Sequence, residues 1–251
     1  SLGTLLTIYQ AGMNVQLHLW YLPLIAKIYL LIPILRKITE SEKLSRIYLI
    51  IWAWSSSICP LLSSLTGAFI MQAKPNLSDA LLKTLDLTQV PELYSYCGFV
   101  VLGYYLYYHF SKRINIFALI VAIVGATAIG AALNSYTLSS NGVFMEYAWS
   151  YFSVFSMIST ISFVLLFKDY LSKIHLSKAG TTVLTALSTC TFGIYLVHPF
   201  CSAQIYNFLV EEYGLPWIFL ADIIIFAISF VPVFAYKSIV RFVSARISKS
   251  K

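Results

Sequence analysis

Residues 116–134 read IFALIVAIVGATAIGAALN, a run without a single charged side chain. As a helix rising about 1.5 Å per residue it covers about 28 Å, close to the roughly 30 Å of hydrocarbon in a bilayer. Ala118, Ala122, Ala126 and Gly130 recur at every fourth position, and such a row of small residues lets a neighbouring backbone approach closely. The stretch therefore predicts a membrane-crossing helix with one tightly packed edge.

The flanking sequence repeats this character. Of 251 residues, 59% are hydrophobic and 11% charged, against about 25% charged in an average soluble domain. Such a chain cannot clothe a water-soluble surface. Apolar segments fall at approximately 17–35, 45–67, 95–110, 116–134, 148–167, 184–210 and 216–242. They predict an all-α, polytopic transmembrane bundle of about seven spans, forming one domain over residues 1–251. The third segment is short for a full span, although Tyr94, Tyr96, Tyr104, Tyr105, Tyr107 and Tyr108 suit the membrane interfaces. Residues 1–16 read as a loop or the tail of an earlier element. The net charge of +7 does not point to nucleic acid, because the cations sit in short gaps between apolar runs and not along one basic face. Cys59, Cys97, Cys190 and Cys201 lie in or beside apolar runs without CxxC spacing. That favours packing over a metal site or a disulfide framework.

Charge alternates from gap to gap. Arg36, Lys37, Lys43 and Arg46 follow the first segment, Lys112 and Arg113 the third, and Lys168, Lys173 and Lys178 the fifth. Lys237, Arg241, Arg246, Lys249 and Lys251 lie at or beyond the end of the seventh, whereas the intervening gaps hold only Lys74 and Lys83. Excess basic charge marks the cytoplasmic side, so the C-terminus is expected inside and residue 1 outside. No cleavable signal peptide is visible, and a chain opening on Ser1 is expected to be a fragment or a trimmed product. A cytoplasmic true N-terminus would require an odd number of further spans upstream.

Polar residues inside the spans are the candidates for function. In the second span Pro60 follows Ser55, Ser56 and Ser57, predicting a kink near Ser56. Ser153, Ser156 and Thr160 in the fifth are expected to bond a backbone carbonyl or a neighbouring helix. The sixth span carries Ser188, Thr191, Tyr195, His198 and Ser202 at helical spacing. This stripe is expected to face the bundle interior or a water-filled cavity. Pro199 disturbs the backbone bond normally accepted by the Tyr195 carbonyl. His198 is a candidate base, or alternatively a satisfied interior histidine. Counted by helical rise, His198 and Asp222 lie at similar depth, so Asp222 is a candidate to orient His198 or an ordinary interfacial carboxylate. In the first span, His18 and Tyr29 share a face, and Lys27 shares the opposite one with Trp20. A mid-membrane lysine seeks a carboxylate, phosphate or water, or it snorkels along a tilted helix. His109 and His175 flank basic loops and read as solvated.

Three segments carry a resemblance. His18-Leu19-Trp20-Tyr21-Leu22-Pro23, followed by Ile28-Tyr29-Leu30-Leu31-Ile32-Pro33-Ile34-Leu35, resembles a helix of the membrane-bound acyltransferase-3 family. Tyr96-Cys97-Gly98-Phe99-Val100-Val101-Leu102-Gly103-Tyr104-Tyr105 is similar to a second family segment, and Phe192-Gly193-Ile194-Tyr195-Leu196-Val197-His198-Pro199 to a third. The three stand in family order. The resemblance implies a bacterial cytoplasmic-membrane enzyme of about ten spans that moves an acyl group, usually acetyl, from cytoplasmic acyl-CoA to a hydroxyl of an envelope or lipid-linked carbohydrate. It implies no bound cofactor, only acyl-CoA as donor. It also implies a first helix with a basic residue and a catalytic histidine, to which no segment here corresponds, so the chain is expected to be incomplete and inactive alone.

The roles that follow are expectations. His198, His18, Tyr195 and Asp222 are candidates for catalysis, and Trp20, Tyr29, Lys27, Ser188 and Thr191 for substrate contact. Lys112 and Arg113, with Lys168 and Lys173, could attract CoA phosphates, although the charge asymmetry of membrane proteins accounts for them without a ligand. A flippase or exporter of a polysaccharide or lipid-linked sugar, or a non-catalytic membrane remnant, is the alternative function.

Overall fold

In the computed structural model the residues described are 20–71, 74–89, 96–142, 144–206, 208–209, 213–214 and 217–249. Expectations placed on His18, Tyr94 and residues 1–16 lie outside them. Among the described residues the regular structure is helical throughout. In chain order the helices are α1 (Tyr21–Thr39), α2 (Glu42–Ile70), α3 (Pro75–Thr88), α4 (Cys97–Tyr108) and α5 (Ile116–Asn141). They continue as α6 (Val154–Asp169), α7 (Lys178–Val197), α8 (Pro199–Tyr206) and α9 (Ile218–Lys249). Their starts follow from sequence: Ser41, Asn115, Ser153 and Ser177 each accept a backbone N–H of the first turn, the standard use of a short polar side chain at an N-cap. Gly142 ends α5 in the left-handed region at φ 64°, where a residue without Cβ is favoured.

Among the described residues, five helical stretches are long and apolar enough to cross a bilayer: Glu42–Ile70, Ile116–Ser140, Glu146–Lys173, Lys178–Val197 and Ile218–Val240. Large apolar side chains face outward along them; Phe117 is 73% exposed and Phe219 76%. Water would penalise such a surface, whereas lipid accommodates it. The chain is a helical membrane protein. The expected spans 17–35 and 95–110 correspond to α1, which carries Lys27, and to α4, whose 12 residues cover only about 18 Å.

The chain divides into two compact units, one of Ile25–Ile174 and one of Ser1–Leu24 with His175–Lys251. In the first, Trp52 of α2 is 1% exposed and is enclosed with Leu102, Leu106, Leu119, Phe152 and Leu165. Gly98 makes this possible, since a Cβ there would collide with the Trp52 ring. α5 packs on α6 along the small-residue row, of which Ala126 is buried and Gly130 lies against Phe155. The region of Pro60 resolves differently from a simple kink. The helix widens into a π-turn over Trp54–Ile58, and the Cys59 N–H donates to the Trp54 carbonyl. Carbonyls loosened in that turn find partners elsewhere: Gln89 Nε2 donates to Ser55 O at 3.0 Å and the Tyr147 hydroxyl to Ser57 O at 2.7 Å. The same hydroxyl accepts the Val154 N–H at 2.7 Å. Ser153 and Ser156 do not line mid-helix but build the α6 cap, with Ser156 Oγ donating to Ser150 O.

The second unit is an antiparallel pair with a break. α9 lies along α7 and α8, fixed by Lys237 Nζ donating to Thr189 O, by Gly193 against Val233, and by Cys201 Sγ at 3.7 Å from Ser229 Oγ. Ala221, Ile225, Ser229 and Val233 form the buried seam of α9 at four-residue spacing, the period of one helix face.

Candidate functional site

His198 stands at the junction of α7 and α8, where Pro199 interrupts the backbone ladder. Its own N–H donates to Ile194 O at 2.9 Å. The Tyr195 carbonyl, which an unbroken helix would pair with residue 199, receives no such donor because proline has no N–H. The imidazole replaces it: Nδ1 lies 2.8 Å from Tyr195 O and 3.2 Å from Ile194 O. The disturbance expected from Pro199 is present, and the histidine side chain repairs it. Carbonyl oxygens only accept, so Nδ1 is the donor to them.

Aromatic rings run outward from this histidine. The Tyr195 ring is 6.1 Å from His198 and 5.9 Å from Tyr21, whose ring is 6.2 Å from Trp20. Phe192 stacks on Tyr195 at 6.5 Å. Trp20, Tyr195 and His198 were candidates in the sequence, and Tyr21 joins them here. Its adjacency to Trp20 was visible, but its contact with a residue of α7 is a long-range pairing that no local pattern encodes.

The stripe on α7 behaves otherwise than expected. The packed side of the helix is Cys190 and Ile194 against Val233, and Ser188 and Thr191 are exposed. Gly193 sets this orientation, because only a residue without Cβ lets α9 approach along that side. Thr191 Oγ1 donates to Ser188 O at 2.8 Å, so this hydroxyl needs no enclosed partner. Tyr195, His198 and Ser202 are half-buried.

Asp222 is exposed on α9, one residue after the buried Ala221. The antiparallel register sets it roughly two turns beyond the level of His198, about 12 Å along the axis. The contacts of Nδ1 are with the Ile194 and Tyr195 carbonyls, and an ordinary interfacial carboxylate is the alternative reading of Asp222. Lys27 and Tyr29 are exposed on α1 in the other unit.

Among the basic candidates, Lys112 is exposed and Arg113 lies over the Tyr170 ring at 4.6 Å. Lys168 is committed to structure, its Nζ donating to Leu106 O and Phe110 O beyond the end of α4. His109 is not simply solvated, since Nε2 faces Thr39 O at 3.3 Å; His175 is exposed. An open groove of about 640 Å³ is lined by Lys178, Thr181, Thr182, Thr185 and Phe234 near the start of α7. Thr181 and Thr182 donate their hydroxyls to carbonyls of their own chain segment, which leaves Lys178 as the groove's cation.

Residues 2–236 match the family model described as an acyltransferase domain. No curated protein and no solved structure matches the chain.

Proposed function

Because the chain belongs to the acyltransferase-3 family, we propose that it transfers an acyl group, acetyl in the first instance, from cytoplasmic acyl-CoA to a hydroxyl of a cell-envelope or lipid-linked carbohydrate. The observation that carries this reading is the pairing of His198 Nδ1 with two backbone carbonyls. It leaves Nε2 as the proton-accepting atom of a half-buried ring, the requirement for a general base. Nε2 takes the proton of the acceptor hydroxyl as its oxygen attacks the thioester carbonyl. Collapse of the tetrahedral adduct breaks the C–S bond, and the proton passes from Nε2 to the departing CoA sulfur.

The exposed rings of Trp20 and Tyr21, continuous with Tyr195, offer flat apolar faces for a sugar ring. Ser188 and Thr191 add hydroxyls on the uncovered side of α7. His18 serves the acceptor as a second base in this reading, and Lys27 and Tyr29 are further candidates for substrate contact. Lys112 and Arg113 attract the CoA phosphates by charge. The site sits in a bacterial cytoplasmic membrane with the C-terminus inside, as the basic loops favour.

The test is release of the CoA thiol from acetyl-CoA by the full chain in lipid nanodiscs, with and without a carbohydrate acceptor. His198→Gln lowers the acceptor-dependent rate by about 10²-fold or more while the protein stays folded. Equal rates in the two proteins would remove His198 from the chemistry. Sugar translocation that needs no acyl-CoA and survives the substitution would favour the transport function.

A further inference from the structure

We propose that Pro199 is a positioning residue that sets the tautomer of His198. By withholding a backbone N–H from the Tyr195 carbonyl, it makes the imidazole Nδ1–H that carbonyl's donor and leaves Nε2 to accept protons. The catalytic consequence rests on the reading of His198 as the base; the tautomer itself does not.

The argument is an accounting of hydrogen bonds at the α7–α8 junction. Ile194 O is already supplied by the His198 N–H at 2.9 Å. Tyr195 O is the next acceptor along the helix, and position 199 is the one residue type that cannot serve it. A half-buried backbone carbonyl short of its ladder donor is favoured by another hydrogen-bond partner. His198 Nδ1 does so at 2.8 Å, with Ile194 O as a second acceptor at 3.2 Å. Two acceptors facing one ring nitrogen require that nitrogen to be protonated.

The break is also confined. α8 resumes at once, with Ser202 N donating to His198 O at 3.0 Å and Cys201 N at 3.3 Å. Cys201 Sγ donates to the same oxygen at 3.3 Å and lies 3.7 Å from Ser229 Oγ of α9. The backbone that bears the ring is thereby held against α9. With an N–H at position 199, the Tyr195 carbonyl would return to the ordinary helical ladder, and only the longer 3.2 Å contact with Ile194 O would still favour the hydrogen on Nδ1.

The experiment is nitrogen-15 NMR of the histidine-labelled full chain in nanodiscs, with the His198 resonances identified by their loss in His198→Gln. In the unsubstituted protein Nδ1 is expected to be protonated and Nε2 unprotonated; an Nε2–H ring overturns the proposal. In Pro199→Ala the Nε2–H tautomer is expected to rise from a trace to a comparable population. Pro199→Gly restores the same N–H and serves as the second variant if the first is poorly recovered. A tautomer unchanged in both overturns the proposal. Thiol release from acetyl-CoA separates the two layers. A tautomer shift with a rate loss of about tenfold or more supports both. A shift without rate loss leaves the proline's role standing and sinks His198 as base. Rate loss without a shift does the reverse.

Discussion

Trp52 and His198 mark two ways of building with membrane helices. Around Trp52 the unit Ile25–Ile174 encloses large side chains, and its irregular turn at Trp54–Ile58 is bridged by Gln89 and Tyr147 from elsewhere in the chain. Around His198 the helices α7, α8 and α9 meet along a narrow seam of Cys190, Ile194 and Val233, and hydroxyl-bearing residues remain on the uncovered side. Both regions contain a proline in a helical path, Pro60 and Pro199. At Pro60 the loosened carbonyls are satisfied by side chains from afar, Gln89 and Tyr147; at Pro199 the repair is made locally by a titratable ring. Distant repair ties elements together and adds stability, whereas local repair by an imidazole fixes the protonation of one nitrogen. The first device serves the fold, and the second is the one on which the proposed chemistry draws.

The contrast can be broken at several points. The largest effect falls on His198→Gln, with the rate reduced by about 10²-fold or more and thermal melting in detergent unchanged. A parallel loss of folding would make the histidine structural. Gly98→Ala drives a methyl into the Trp52 ring, and this enclosed site has little room to yield. Destabilisation of about 3 kcal/mol is expected, at the upper end of ordinary overpacking. Gly193→Ala meets Val233 instead and should cost about 1–2 kcal/mol, recovered by adding Val233→Ala. If Gly193→Ala costs as much as Gly98→Ala, the seam is as rigid as the core and the contrast fails. Tyr147→Phe orphans Ser57 O and Val154 N together, costing roughly 1–3 kcal/mol of stability with the acyl-transfer rate preserved. Asp222→Asn should change the rate least, by about 0.5 kcal/mol or twofold. A much larger loss would restore the carboxylate as a partner in the chemistry.

Much of this was legible in residues read locally. The run at 116–134 became α5, and its small-residue row is where Gly130 meets Phe155. Pro199 was readable as a missing donor, because the i to i+4 ladder makes residue 195 the loser wherever the helix lies. Legibility stopped where two distant segments had to meet. Tyr21 reaches Tyr195 across more than half the chain, and the packed side of α7 was set by Gly193 accepting Val233. Of the polar stripe, Ser188 and Thr191 therefore lie on the uncovered side, whereas Tyr195, His198 and Ser202 are half-buried. His109 reads as solvated and Lys168 as a loop cation, yet His109 Nε2 faces Thr39 O and Lys168 donates to Leu106 O and Phe110 O.

Composition and periodicity by themselves determined that this is a helical membrane protein, roughly where its long apolar helices lie, and that one helix breaks beside a histidine. Those properties depend on hydrocarbon thickness and on hydrogen bonds between residues a few positions apart, both of which act on the local chain. Only the tertiary structure decided which face of α7 is packed, that backbone carbonyls face Nδ1, and that Trp20 and Tyr21 extend the ring system from His198. Those depend on close approach between helices, where one missing Cβ determines the register and the register determines which side chains meet.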